Sequence, residues 1–276
     1  MYKTISLHIN DEGRVRRLVS AGAQLARRFN AHLAGVYVIP HIPKPPLPLP
    51  MAGSLAGQLA GAYRDEAMRA KAAFESAVRG MPFVTEWRLV QGHQRSYTHD
   101  LLNELRTSDL IVASQAQSDW DYADIFDIPE EIALGAGRPV LIVPAKGTVQ
   151  EIGKRITVAW NRKPEAVRAV FDSLPLLVGA EDVRVVSLTQ RDEGEGELEI
   201  ADILEALARH SIKCDGVTAS ITNAQVGPEI LRHAADHRSD LLIMGCYGRT
   251  RLLEFVLGGA TRHVLHHMQL PVVMSH

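Results

Sequence analysis

Cysteine is scarce in this chain, with only Cys214 and Cys246 among 276 residues. Two thiols are too few for a disulfide framework, so a reducing compartment is expected. An excess of one charge is missing as well. Thirty Lys and Arg against 32 Asp and Glu leave a net charge of −2, without the basic surplus that marks a nucleic-acid binder. No apolar run reaches the length of a membrane span, and the opening MYKTISLHIN passes straight into a strand pattern with no apolar leader. The sequence therefore predicts a cytoplasmic protein with neither nucleic-acid nor membrane partners. What is present is ordinary for a globular chain: 46% hydrophobic and 22% charged residues, over a length sufficient for real cores.

Strand and helix patterns alternate along the chain, and their order is written twice. In the first copy, residues 3–10, 31–39, 83–90, 110–113 and 139–143 read as strands, and 13–30, 62–78, 98–106 and 129–134 as helices. A proline-rich stretch, 40–50, can be neither helix nor central strand. In the second copy the strands fall at 155–161, 183–188, 217–221 and 241–244, and the helices at 165–177, 198–210, 228–238 and 260–268. Residues 191–199 read as an acidic loop. Ser108-Asp109-Leu110 matches Ser239-Asp240-Leu241, Arg138-Pro139-Val140 matches Leu270-Pro271-Val272, and the opening strands end on Asn10 and Asn161. Such a repeat implies duplication of one α/β domain, an open, mainly parallel five-stranded sheet with helices on both faces. The expected domains are 1–146 and 154–276, joined through 145–154.

The chemistry concentrates in the second copy. The apolar run Leu241-Leu242-Ile243-Met244 has the bulk of a strand buried on both faces. It stops at Gly245, Gly248 follows, and Gly258-Gly259 comes after nine intervening residues, ahead of a helix over 260–268. Glycines admit close approach of backbone N–H groups to an anion, and a helix start adds unpaired donors and partial positive charge. Ala260 and Thr261 lie in that first turn, and Arg249 and Arg251 add cationic charge at the rim.

The spacing Gly-x2-Gly-x9-Gly, in Gly245, Gly248 and Gly258 with Thr261 behind, resembles the nucleotide loop of the universal stress protein family. With the repeat, the resemblance extends over the whole chain. It implies two tandem Rossmann-like domains of the adenine-nucleotide alpha-hydrolase-like type, paired internally as a pseudo-dimer with scope for a homodimer. It further implies a stress-response role and an adenine nucleotide, ATP or a relative such as AMP, with magnesium or manganese as its accompanying metal. The base would lie near Ala159 and Leu188, with Met244 beside it and the phosphates on Gly245, Gly248, Arg249, Gly258, Gly259, Ala260 and Thr261. Two departures stand out. Gly259 replaces the family's usual Ser or Thr, and Asn161 replaces an Asp.

The first copy has no glycines at the matching place. It reads Ser114-Gln115-Ala116-Gln117-Ser118-Asp119-Trp120-Asp121, with Asp124 and Asp127 following. Crowded carboxylates repel phosphates, so this copy is expected not to bind a triphosphate. The acids read as a solvated loop with Trp120, Tyr122 and Phe126 beneath it. His263, His266, His267 and His276 offer imidazoles, but no obvious further ligand completes a metal set. Three readings stay open: a nucleotide-binding regulator, a slow ATPase or self-phosphorylating enzyme without an evident base, and a paired-domain scaffold that binds no nucleotide.

Overall fold

The computed structural model describes residues 1–42, 52–92, 96–117, 126–189, 195–221, 225–247 and 259–276. The strands are β1 (Thr4–His8), β2 (His32–Ile39), β3 (Thr85–Gln91), β4 (Leu110–Ser114), β5 (Val140–Val143), β6 (Arg155–Trp160), β7 (Asp182–Thr189), β8 (Cys214–Ser220), β9 (Leu241–Gly245) and β10 (Val272–Ser275). The helices are α1 (Val15–Phe29), α2 (Ala52–Val78), α3 (Tyr97–Leu105), α4 (Pro129–Gly135), α5 (Pro164–Asp172), α6 (Leu174–Leu177), α7 (Glu195–Arg209), α8 (Val226–Asp236) and α9 (Ala260–His267). Alternating strands and helices form an α/β architecture, and each repeat contributes five strands.

Two compact units emerge, Tyr2–Ile132 and Ala133–His276. In the first, the strand order is β3-β2-β1-β4, with parallel pairing of β1 to both β2 and β4 and of β2 to β3. In the second it is β5-β10-β9-β6-β7-β8. All its pairs are parallel except β5 with β10, which run antiparallel with Val140 opposite Met274. The division between units falls upstream of the repeat boundary because the last strand of the first repeat pairs with the last strand of the second.

Helix α1 shows how the sequence makes its elements. Val15, Leu18, Val19, Leu25, Ala26 and Phe29 fall on one buried stripe, at spacings that bring them to one face of a 3.6-residue helix. Burying a Leu or Phe of this stripe stabilises the fold by roughly 1.5–3 kcal/mol, and a charge at Leu25 would break it. The helix stops at Asn30, whose left-handed φ of 48° closes the last turn.

The shared Ser-Asp-Leu tripeptides act as clamps at strand starts. The Asp109 carboxylate accepts from the N–H groups of Lys3 and Thr4 at 2.7 and 3.0 Å. Asp240 accepts likewise from Gly153, Lys154 and Arg155. Ser108 Oγ bonds Ser6 Oγ at 2.6 Å, as Ser239 Oγ does Thr157 Oγ1 at 2.7 Å. Charge-assisted bonds of this kind hold neighbouring parallel strands in register, so the clearest identities between the repeats are architectural.

Three elements differ from expectation. Helix α2 starts at Ala52, ten residues before the helical composition becomes obvious, because Gly53, Gly57 and Gly61 interrupt its first turns. The helix expected over 165–177 is broken into α5 and α6 at Ser173, just before Pro175, where a ring without an N–H forces a fresh start. Residues 195–199, read as acidic loop, belong to α7.

Candidate functional site

In the second unit the strand order reverses beside β6, which has β7 on one side and β9 on the other. In open sheets of this kind such a reversal leaves room for a crevice beyond the carboxyl ends of the strands. Strand β9 enters it as Leu241–Met244, each residue at most 4% exposed, and ends at Gly245. This glycine is required by packing. A Cβ at Gly245 would meet the backbone carbon of Glu165 at 2.5 Å and the nitrogen of Ala166 at 2.6 Å, so the first turn of α5 lies against the strand end.

Cys246 follows, fully buried, its N–H donating to Ser275 O at 3.0 Å and its carbonyl accepting from His276 Nδ1 at 2.9 Å. It is a structural pin between the end of β9 and the end of β10. Tyr247 takes a left-handed φ of 56°, and its N–H donates to Thr261 Oγ1 at 3.3 Å. Thr261 is 3% exposed in the first turn of α9. Its hydroxyl thus orients the loop backbone, a role that its spacing from the glycines foreshadowed only in part.

Gly259 is the N-cap residue of α9, and among the described residues no side chain caps the helix. The helix start therefore presents backbone donors and the positive end of its dipole without a competing hydroxyl. Ala260 and Gly259 are half-buried. Gly248, Arg249, Arg251 and Gly258 lie outside the described residues.

At the other side of the crevice, Ala159 pairs with Met244 in the sheet register. Ala159 and Leu188 are half-buried, whereas Met244 is 4% exposed and belongs to the core. Trp160 is also buried. Asn161, one residue beyond the Trp160–Ser187 pair, is exposed, and its Oδ1 accepts from the N–H of Lys163 at 3.1 Å. The side chain therefore turns back on its own chain. Glu165, which sequence reading passed over, is 9% exposed and lies against Gly245. It brings a carboxylate close to the loop although Asn161 carries none.

The matching region of the first unit is filled by its own side chains. The buried Arg14 guanidinium pairs with both oxygens of Asp127, at 3.0 Å for Nη2 to Oδ2. Asp127 also accepts from the N–H of Gln117 at 2.7 Å, and Asn10 Nδ2 donates to Phe126 O and Asp127 Oδ1. Phe126 stacks edge-on against Tyr97 and Tyr63. Asp127 is thus no member of a solvated acidic loop, because Arg14 neutralises it. Trp120, Tyr122, Asp119, Asp121 and Asp124 lie outside the described residues. Nearby, His8 Nε2 and the Tyr97 hydroxyl share a 2.8 Å hydrogen bond. Burial, aided by Arg14, holds the His8 pKa down to about 3, and burial raises that of Tyr97.

The C-terminal histidines do not converge on one point. His263 and His267 stack at 4.1 Å, and His267 Nδ1 is bound to the carbonyl of His263. No helix among the described residues is long and apolar enough to cross a membrane.

Comparison with known proteins fits this geometry. The model of the universal stress protein family matches residues 154–276. Among solved structures, a universal stress protein from Archaeoglobus fulgidus DSM 4304 matches at 13% identity with a TM-score of 0.66, over 99% of this chain and 96% of that one. A candidate universal stress protein from Pseudomonas aeruginosa UCBPP-PA14 matches at 16% identity and TM-score 0.58, over 99% and 93%. A family protein from Arabidopsis thaliana with AMP bound matches 44% of this chain and 90% of its own length, at 14% identity and TM-score 0.34. No curated protein matches the chain. Residues 154–276 thus carry a universal stress protein domain, and the likeness over the whole chain is one of fold.

Proposed function

We propose that the C-terminal repeat binds an adenine nucleotide, ATP in the first instance, and that the protein is a stress-response regulator whose partners depend on nucleotide occupancy. The observation that carries this reading is the meeting of β9 and α9. Gly245 ends a buried strand, Tyr247 is tied to Thr261, and the start of α9, with no side-chain cap among the described residues, brings its N–H groups beside them. Phosphates are the anions that such a glycine turn and helix start hold best. Family membership of residues 154–276 and the Gly-x2-Gly-x9-Gly spacing supply the nucleotide class. The half-buried Ala159 and Leu188 leave apolar surface for a base, and Glu165 offers a carboxylate to a magnesium or manganese ion bound with the phosphates.

Calorimetry with ATP, ADP and AMP tests the reading. Wild-type protein is expected to bind, and Gly248→Asp to abolish binding by adding a charge and a side chain to the loop, with the circular dichroism spectrum unchanged. Thr261→Val, which removes one neutral hydrogen bond, is expected to weaken binding by about tenfold at most. Equal affinity in wild type and Gly248→Asp would show that the loop is not the site. No heat with any nucleotide would leave the scaffold reading.

A further inference from the structure

We propose that the amino end of the second unit's sheet holds a divalent metal site, made by Asp182, Asp215 and His237 and suited to zinc. It is remote from the loop just described: Asp182 is the first residue of β7, whereas Leu188 lies near the end of the same strand.

The sheet register builds it. Thr157 on β6 pairs with Arg184 on β7, and Arg184 pairs with Asp215 on β8. Residues paired across parallel strands share a face, as do residues two apart along one strand. Thr157, Asp182, Arg184 and Asp215 therefore all point to one side. His237 terminates α8, and its ring reaches the same side, touching Thr157 and Asp182.

One oxygen of each aspartate and a ring nitrogen of His237 all lie within 4.8 Å of one another. The imidazole is 4% exposed, and its Nε2 stands 3.1 Å from Asp182 Oδ2. At that distance it nonetheless makes no hydrogen bond, because the carboxylate is off the direction of the ring N–H. A buried ring nitrogen beside two carboxylates and without a hydrogen bond is suited to a metal ligand. Tetrahedral zinc, with bonds of about 2.0–2.1 Å, keeps neighbouring ligand atoms about 3.3 Å apart.

The other ring nitrogen is already positioned. Nδ1 is 3.0 Å from Ser239 Oγ and 3.3 Å from Thr157 Oγ1. With a hydroxyl accepting from Nδ1–H, the ring takes the tautomer that leaves the Nε2 lone pair free beside the aspartates, the orienting contact that metal-bound histidines require. One imidazole with two carboxylates selects a zinc-class ion over calcium or magnesium, which take oxygen ligands. Water completes the coordination. Two arginines compete with the ion: Arg184 Nε holds Asp215 Oδ2 at 2.9 Å, and Arg155 Nε lies 3.4 Å from Asp182 Oδ2. Both are partly solvent-exposed, at 31% and 45%, so each can release its carboxylate.

The test is equilibrium dialysis of the full chain against zinc, with cobalt substitution to read the ligand set by its visible absorption. Wild type is expected to bind zinc and to gain thermal stability from it. His237→Ala and Asp215→Asn should each weaken binding by at least about tenfold and change the cobalt spectrum. Asp215 is half exposed, so its variant reports on the site even if His237→Ala folds poorly. Arg184→Gln, which removes a competitor, should bind more tightly. The double variant His263→Ala/His267→Ala should bind as wild type does. The proposal is overturned if the wild type takes up no zinc, or if Asp215→Asn binds as tightly with the same cobalt spectrum.

Discussion

The two strand ends hold the same place in a repeated pattern, and the chain furnishes them in opposite ways. In the first unit an arginine, an aspartate and an asparagine meet under cover, and Asn10 is 7% exposed. In the second the matching Asn161 lies in solvent and bonds only its own chain neighbour among the contacts described. Ser114 follows the first copy's Leu110–Ala113 run where Gly245 follows Leu241–Met244. Where the first copy carries acids in place of glycines, the strand end is not left with an unbalanced carboxylate. The buried Arg14–Asp127 pair fills that place and balances its charge.

The strongest way to break this comparison is Arg14→Ala. It leaves Asp127 buried and unpaired, which costs about 3–5 kcal/mol. Urea denaturation, with hydrogen exchange to read each unit separately, should place the loss in Tyr2–Ile132. Because desolvation cancels much of the pair's attraction, Arg14→Met with Asp127→Leu should recover most of it.

Acid should weaken the same unit next. The His8 pKa is lowered in the fold, from 6.5 to about 3. Between those values the unfolded chain binds the extra proton, so stability rises with pH across that window and falls as pH drops. The loss reaches on the order of 3 kcal/mol by pH 4. His8→Gln should flatten the profile there, measured as midpoint against pH, and an unchanged slope would place the titration elsewhere.

The mildest test installs the first copy's residue in the second. Gly245→Ser places a Cβ 2.5 Å from the backbone at Glu165 and should cost about 1–3 kcal/mol, as overpacking does. A thermal midpoint equal to wild type would show that α5 moves aside freely.

Much of this fold was legible beforehand. Buried parallel strands such as Leu241–Met244 announce themselves by composition, and matched tripeptides fixed the repeat. What the tripeptides did there was hidden, since Asp109 and Asp240 act through backbone N–H groups that no side-chain pattern reveals. At the site, Gly245 and Thr261 were readable as loop residues, but their partners were not. Met244 looked available to a base and is core, because a strand's last buried residue differs from an exposed one only through its neighbours. Arg14 and Asp127 are 113 positions apart. Asp182, Asp215 and His237 come from three separate elements. Neither set has a local spacing, so topology alone could expose them.

The antiparallel seam between β5 and β10 has a consequence for anyone dividing this protein. A fragment beginning at the second repeat would retain β10 and discard its neighbour, baring a row of main-chain donors and acceptors that invites another strand. Self-adhesion of such a fragment would be an artefact of the cut, easily mistaken for native assembly.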